Sequence, residues 1–173
     1  MITKWYKNIC ATMLQQHGQD YYGYLPVKGT NGTTYYGAGM YSAFPRTIAN
    51  LLSLNVNTAG FVLGTGTTAV TNEDYRTETP VTSGLSATTT YTRGLDNGNP
   101  YIEYTLNVVN SLSSDIVVTE IAYDQAVQAA TTQGGTTMTT AVVCLDHTLL
   151  DSPVTIPAGG SNAIKYRLTT VLS

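Results

Sequence analysis

The residues best suited to chemistry in this sequence lie close together near position 147. They combine a thiol, two carboxylates and an imidazole: Cys144, Asp146, His147 and Asp151. A cysteine nucleophile needs a base within hydrogen-bonding reach, and that base needs a third group to orient it. Alternate residues of a strand face opposite sides, so Cys144 and Asp146 share a face that excludes His147 unless the strand ends at Asp146. We therefore predict a turn-region histidine beside an aspartate, with no catalytic residue and no metal ligand.

A loop rich in glycine and threonine, residues 64–68, follows the apolar residues 61–63. A nucleotide-binding loop needs a third glycine or a Gly-Lys-Ser/Thr ending, and then a helix whose N-terminus faces the phosphate. Ala69 stands where the third glycine is needed, and residues 70–73 do not resemble the start of a helix. The sequence therefore predicts no phosphate site here, and we expect no bound cofactor.

The most concentrated charge lies in a polar segment, residues 72–89. Three of its side chains are carboxylates that calcium could use, but the spacing of an EF-hand loop is absent. We therefore predict a solvated loop, whose charged residues are Glu73, Asp74, Arg76 and Glu78. A further carboxylate, Glu120, interrupts an otherwise apolar strand and needs a partner if it is buried.

The composition argues against two classes of partner. Charged residues make up 11% of the 173 residues, with a net charge of -3, whereas about 25% is typical of a domain. The few lysines and arginines form no stripe, so we expect no nucleic acid partner. No uncharged apolar run approaches the roughly 18 residues of a membrane span, so we expect no membrane partner either. Cys10 and Cys144 belong to no Cys-X-X-Cys pair, and we predict two buried thiols.

The second half of the chain alternates apolar and polar residues with the period of a strand. Residues 101–109 form one such strand, and an Asn-Gly turn signal lies before it in residues 96–100. Residues 116–123 are apolar on both faces, which is typical of a central strand covered on both sides. Residues 140–146 predict a further strand. Residues 153–172 predict a closing hairpin of a short strand, a proline-glycine turn and a longer strand.

Many short strands separated by turn signals favour a mainly-β fold. We predict an antiparallel β-sandwich, jelly-roll-like, over residues 60–173, with a short N-terminal α-helix outside it. The length of the chain is that of one domain.

Residues 3–16 predict that helix, within an N-terminal arm of residues 1–20. Trp5, Ile9 and Met13 recur at a spacing of four, with Tyr6 beside them, which gives an apolar stripe at helical spacing. The helix either packs on its own domain or docks on another subunit. Tryptophan and tyrosine are enriched at the centres of interfaces, which keeps the second alternative open.

Residues 21–59 predict a tyrosine- and glycine-rich hairpin followed by a short helical connection or turn at residues 46–54. Glycines and Asn31 between two tyrosine-bearing runs are typical of a hairpin turn. The tyrosines form either one face of a sheet or a surface that stacks on sugars or docks on proteins. They are Tyr21, Tyr22, Tyr24, Tyr35 and Tyr36.

Four segments follow one another in a recognisable order: residues 60–68, the acidic residues 73–75, the strand 116–122, and residues 149–160 before a final strand. This order resembles that of virion structural proteins of tailed bacteriophages. Ala122 stands where such proteins usually have a glycine. The resemblance implies a β-sandwich that assembles in rings or projects from the head, neck or tail of a virion.

We therefore expect a non-enzymatic structural subunit of a phage virion: a neck, tail or capsid accessory protein. It would form a homo-oligomer and dock on other virion proteins. The alternative is a receptor- or glycan-binding module that uses the tyrosine-rich hairpin. For either function the candidate interface residues are Trp5, Tyr6, Ile9, Met13, Tyr21, Tyr22, Tyr24, Tyr35 and Tyr36.

Overall fold

The computed structural model of this chain describes residues 26–39, 52, 54, 59–132 and 137–169. The predicted helix at residues 3–16 lies outside this part of the chain. So do Cys10, His17 and most of the predicted interface residues, namely Trp5, Tyr6, Ile9, Met13, Tyr21, Tyr22 and Tyr24.

The described residues form eight strands and no helix, which confirms the predicted mainly-β, antiparallel fold. The first three strands are short, and the remaining five are long. In chain order they are β1 (Val27–Lys28), β2 (Thr34–Gly39), β3 (Gly60–Gly64), β4 (Leu85–Asp96), β5 (Asn99–Asn110), β6 (Ile116–Ala130), β7 (Met138–Ile156) and β8 (Ser161–Thr169).

The first sheet is built around β6. Strand β7 pairs antiparallel along one edge of β6, while β3 and β2 follow one another along its other edge, and β1 pairs with β2. Nearly all β6 side chains are buried or half-buried, on both faces. The prediction that residues 116–123 form a central strand is therefore confirmed.

The second sheet has the order β4-β5-β8, with β5 in the centre. Strands β4 and β5 form a long hairpin whose turn places Asn97 at φ 49° and Gly98 at φ 82°. Two consecutive left-handed residues make the turn that matches the twist of a two-residue hairpin, and Asn-Gly is the dipeptide that adopts it most readily. The turn predicted at residues 96–100 is confirmed.

The two sheets share one hydrophobic core. Phe61 from β3 is 0% exposed, and its ring contacts Tyr104 of β5 and Tyr166 of β8 edge-to-face, with centroids 5.0 and 5.2 Å apart. Further buried members from the first sheet are Leu63, Ile116, Val118, Ile121 and Ile156, and those from the second are Leu85, Leu106, Val108 and Ile164. A second, smaller cluster lies between β1, β2, β6 and β7 and contains Val27, Tyr35, Val127, Ala129, Ala141, Val143 and Leu145.

The short strand, tight turn and longer strand predicted for the end of the chain are present as far as residue 169, but the two strands do not pair as a hairpin. Residues 154–156 are the end of β7 and pair with β6, whereas β8 pairs with β5 in the other sheet. The tight turn at residues 157–160 therefore carries the chain from one sheet to the other. Alternation and turn residues identify strands, but they do not identify the partner of a strand, because two strands joined by a short turn can also lie in facing sheets.

Two predictions for residues 21–59 can be compared with the structure only in part. The glycine and asparagine turn is present and joins β1 to β2, so the hairpin exists, although its first strand is Val27–Lys28. Of the connection predicted at residues 46–54, only Leu52 and Leu54 are described. Leu52 forms an isolated parallel bridge with Phe61, and both leucines pack against the main core.

Candidate functional site

The candidate site is organised around Glu120, a charged side chain on the central strand that is 0% exposed. Three backbone amides donate hydrogen bonds to its carboxylate. Gly66 N and Thr79 N lie 3.0 and 2.8 Å from Oε1, and Glu78 N lies 2.9 Å from Oε2. Through these hydrogen bonds Glu120 connects residue 66 and residues 78–79 to the middle of β6.

His147 is the side-chain partner of Glu120. Ala122 pairs with His147 across β6 and β7, and Glu120 and Ala122 lie on the same face of β6, so the imidazole and the carboxylate are diagonal neighbours. The Nε2 atom of His147 lies 2.7 Å from Glu120 Oε2. The histidine is only 3% exposed, so this contact is buried.

The other ring nitrogen of His147 contacts a carboxylate from the acidic segment. Its Nδ1 atom lies 2.9 Å from Asp74 Oδ2, and the Asp74 side chain is 25% exposed. Thr71 donates two further hydrogen bonds to Asp74, from its backbone N at 3.1 Å and from its Oγ1 at 2.7 Å. A histidine thus bridges a buried carboxylate on the sheet to a half-buried carboxylate on a turn.

The hydrogen bonds decide the charge state of these groups. Burial opposes the ionisation of Glu120, but the bonds from His147, Thr79, Glu78 and Gly66 outweigh it and lower its pKa to about 2. Burial alone would depress the pKa of His147, yet its bonds to Glu120 and Asp74, and their charges, raise it. The pKa of Asp74 is lowered, since its bonds to Thr71 and His147 overcome the effect of burial. Below pH 6.5 the bridge is therefore an imidazolium between two carboxylates.

The glycine- and threonine-rich loop binds carboxylates of its own chain. Gly66 donates to Glu120. The amides of Thr67 and Thr68 donate to Glu78 Oε2 at 2.9 and 3.0 Å, and Thr68 Oγ1 donates to Glu78 Oε1 at 2.5 Å. These bonds, led by those from Thr68, lower the pKa of Glu78. The loop thus presents several amides to anions as a phosphate-binding loop does, and the anions are side chains of this protein.

Both glycines of this loop are required for close approach to Glu120. A Cβ atom on Gly64 would meet the Glu120 carboxylate well inside van der Waals distance, and one on Gly66 would lie 2.7 Å from Glu120 Oε1 and 2.5 Å from Glu78 Oε2. The Gly-Thr-Gly sequence is therefore explained by the buried carboxylate that it surrounds.

Two predictions about these residues are corrected. His147 lies inside β7 and not in a turn, and the acidic segment is not merely a solvated loop, because Asp74 and the amides of residues 78–79 are bonded to the sheet. The chemistry of the arrangement is that of a structural bridge. Both nitrogens of the imidazole already contact carboxylates, so His147 can take part in proton transfer only by giving up one of them.

One part of the prediction for the faces of Cys144, Asp146 and His147 is wrong, because Cys144 does not share a face with Asp146. The register of β6 and β7 shifts between Tyr123 and Asp124, so Cys144 pairs with Asp124 and Asp146 pairs with Tyr123. The extra residue places Cys144 on the face of His147, because a bulge of one residue reverses the alternation. Asp146 lies on the face opposite to His147, as predicted, and points toward the core. The Tyr166 hydroxyl donates to Asp146 Oδ2 there. Asp151 is exposed and lies outside the site.

A second buried carboxyl lies next to the site. Asp124 is 1% exposed, and burial raises its pKa to about 7, against smaller opposing effects of Cys144 and His147. Its Oδ1 atom has no hydrogen-bond partner among the residues that the structure describes. The neighbouring Cys144 is buried, as predicted for this cysteine, and burial is the main reason why its pKa is raised.

A cavity of about 300 Å³ lies beside His147. Its lining includes three acidic side chains, Glu73, Asp74 and Glu78, together with Arg76 and His147. Within residues 26–39, 59–132 and 137–169, no group of three or more histidine, cysteine or acidic side chains is arranged to hold a metal ion.

Of the predicted interface residues, only Tyr35 and Tyr36 lie in the described part of the chain. Tyr35 is 6% exposed in the second core cluster, and its hydroxyl accepts a hydrogen bond from Asn31 Nδ2 at 3.0 Å. This position argues against a docking role for its ring. Tyr36 is half-buried in β2.

Comparison with known proteins adds no identification, since no family model, curated protein or solved structure matches this chain. None of the described residues belongs to a helix long and apolar enough to cross a membrane.

Proposed function

We propose that this chain is a non-enzymatic structural subunit of a phage virion: a neck, tail or capsid accessory protein that self-associates and docks on other virion proteins. The two sheets would form the layers of a jelly-roll-like β-sandwich. The four segments that carry the resemblance to virion proteins support this proposal. Residues 60–68 include β3, residues 116–122 lie in β6, residues 149–156 lie in β7, and Asp74 of the acidic residues contacts His147 of β7. The four segments so form one connected unit around the central strand.

The observation that carries the proposal is the exposed end of the β4–β5 hairpin. By alternation, Tyr91 and Leu95 lie on the same face of β4 as the buried Leu85. Tyr91 is nevertheless 41% exposed and Leu95 72% exposed. The core-facing side of the hairpin therefore extends beyond the core, and an exposed apolar surface of this kind is typical of a site of association.

We propose a second copy of the chain as the partner of this surface. Strand β4 is an edge strand, and within the described chain no other strand pairs with its free side. Four threonines and only two charged residues, Arg93 and Asp96, occupy its 12 positions. Edge strands resist association mainly through charge, proline or bulges, and β4 has little of that protection. Antiparallel pairing of two β4 strands would extend the second sheet across both copies, with the exposed Tyr91 and Leu95 side chains at the junction.

A charged residue at position 95 tests this surface. We expect the wild-type chain to sediment as an oligomer and Leu95→Lys to dissociate it, with a dissociation constant raised at least about 100-fold, because a charge would be buried without a partner. Val117→Lys is the matched control, since Val117 is also exposed (45%) but lies in the other sheet. A wild-type chain that is monomeric at every concentration, or equal masses for the two variants, would contradict the proposal.

The N-terminal arm provides an independent test. Because residues 3–16 carry the apolar stripe of Trp5, Ile9 and Met13, we expect a chain that lacks residues 1–16 to lose assembly while its strands remain folded by circular dichroism. If the truncated chain forms the same oligomer, the N-terminal arm is not needed for self-association. The role in a virion further requires that the chain be present in purified particles in fixed stoichiometry.

A further inference from the structure

The segment of residues 66–79 is held to the sheet at its two ends and at its middle. At its ends, Gly66, Glu78 and Thr79 donate backbone hydrogen bonds to Glu120. At its middle, Asp74 contacts His147. One further contact near the middle is Lys28 Nζ, which lies 3.9 Å from the centre of the Tyr75 ring.

The contact between Asp74 and His147 depends on whether the imidazole carries one proton or two. A carboxylate can only accept hydrogen bonds, so a histidine that contacts two carboxylates satisfies both only when both ring nitrogens carry a proton. A neutral imidazole has one N–H and one lone pair, and the lone pair would face a carboxylate oxygen. One of the two contacts must then open.

The contact that opens is the one to Asp74. Glu120 is completely buried and three backbone amides hold its carboxylate in place, so it keeps the remaining N–H of His147. The Asp74 side chain is 25% exposed and lies on a turn that it forms with Thr71, so it can exchange His147 for water.

We propose that His147 is a proton-dependent latch: when it is doubly protonated it holds the middle of residues 66–79 against the sheet, and when it loses a proton it releases that part of the segment. Release of the segment changes the shape of the cavity, because part of its lining belongs to the segment. These lining residues are Thr68, Glu73, Asp74, Arg76 and Thr77. The inference does not depend on the proposed virion function.

The sign of the pH dependence follows from the geometry. The pKa of His147 in the folded chain is raised above 6.5, so its bonds are complete below pH 6.5 and are lost as the pH rises through the folded pKa. Several other groups face this histidine. They are Glu120 and Asp124 on β6, Cys144 on β7, and Glu73, Asp74, Arg76 and Glu78 on the segment. Of these carboxyls, Asp124 needs a separate control, because its pKa of about 7 lies in the same range.

Nuclear magnetic resonance of the full chain tests the latch. We expect the ring nitrogens of His147 to show the doubly protonated form at pH 6. As the ring titrates, the amides of residues 67–77 should lose protection from hydrogen exchange about tenfold, after correction for intrinsic rates, as expected for the loss of one charge-assisted hydrogen bond. Amides of β5 should keep their protection.

Two variants distinguish the effect of the His147 titration from the effects of other titrating groups. Asp74→Asn supplies an amide that can donate to a neutral imidazole, so we expect a lower pKa of His147 and little pH dependence of the exchange of residues 67–77. Asp124→Asn should leave the pH dependence of this exchange in place, with only a small fall in the pKa of His147 because one neighbouring carboxylate is lost. A His147 ring that is neutral at pH 6, or a segment whose exchange does not respond when His147 titrates, would overturn the proposal.

Discussion

Replacement of Glu120 by glutamine is expected to lower the free energy of unfolding by about 3–5 kcal/mol. The amide has nearly the same shape, but it carries no charge and presents an NH2 group where the carboxylate accepts from three backbone amides and from His147. At least one backbone donor would then lack a buried acceptor, and His147 would have to lose its proton to accept from the new NH2 group, so the charged bridge would be lost as well. Urea unfolding followed by circular dichroism measures the loss.

The control for this variant is Glu78→Gln. Glu78 also accepts hydrogen bonds from backbone amides, but it is exposed, so water can replace what the variant loses. We expect a much smaller destabilisation than at Glu120. If the two variants lowered the free energy of unfolding equally, burial would not matter at this site. Glu120 would then contribute no more to stability than an exposed carboxylate does.

Gly64 supplies a second check on Glu120. Gly64→Ala would place a methyl group against the Glu120 carboxylate, so it should destabilise the wild-type chain strongly. In a chain that already carries Glu120→Ala, the same change should cost little. A double-mutant cycle measures this coupling, and an additive result would mean that Gly64 is needed for some other reason.

Phe61→Ala is the second variant with a large expected effect, a loss of about 3–5 kcal/mol. Phe61 is fully buried, and its ring lies 5.0 to 5.2 Å from those of Tyr104, Tyr123 and Tyr166. Two of these tyrosines belong to the second sheet, so the cavity would open where the sheets meet. Edge-to-face aromatic pairs add to the loss, by about 0.5–1.5 kcal/mol each.

Leu95→Ala is the matched control for the loss of a large apolar side chain. Because Leu95 is 72% exposed, we expect a change within about 0.5 kcal/mol at concentrations where the chain is monomeric. Phe61→Leu should fall between the two, since it keeps most of the volume but none of the ring contacts. A Phe61→Ala variant as stable as Leu95→Ala would contradict a core shared by both sheets.

Local sequence patterns predicted the strands and turns well. The Asn97-Gly98 turn, the central strand around residues 116–123 and the antiparallel character follow from dihedral preferences and from alternation, which depend on near neighbours. The buried Glu120 was also visible as a carboxylate that needed a partner, because charge in an apolar strand is costly.

The partners themselves could not be predicted from the sequence. Glu120 and Gly66 are 54 residues apart, and Asp74 and His147 are 73 residues apart, with no local pattern to connect them. The register shift near Leu145 reverses the face on which Cys144 lies, and one extra residue leaves no trace in an alternating sequence. The assignment of residues 154–156 and β8 to different sheets depends on the packing of the whole domain.

The pairing of β5 with β8 has a consequence for folding during synthesis. Residues 101–109 pair with residues 161–169, so the central strand of the second sheet lacks one neighbour until residues 161–169 have left the ribosome. Contacts so distant in the chain form late and slowly. Until then the nascent protein exposes one edge of β5. Chaperone binding and misfolding should therefore be concentrated in the interval before residues 161–169 emerge.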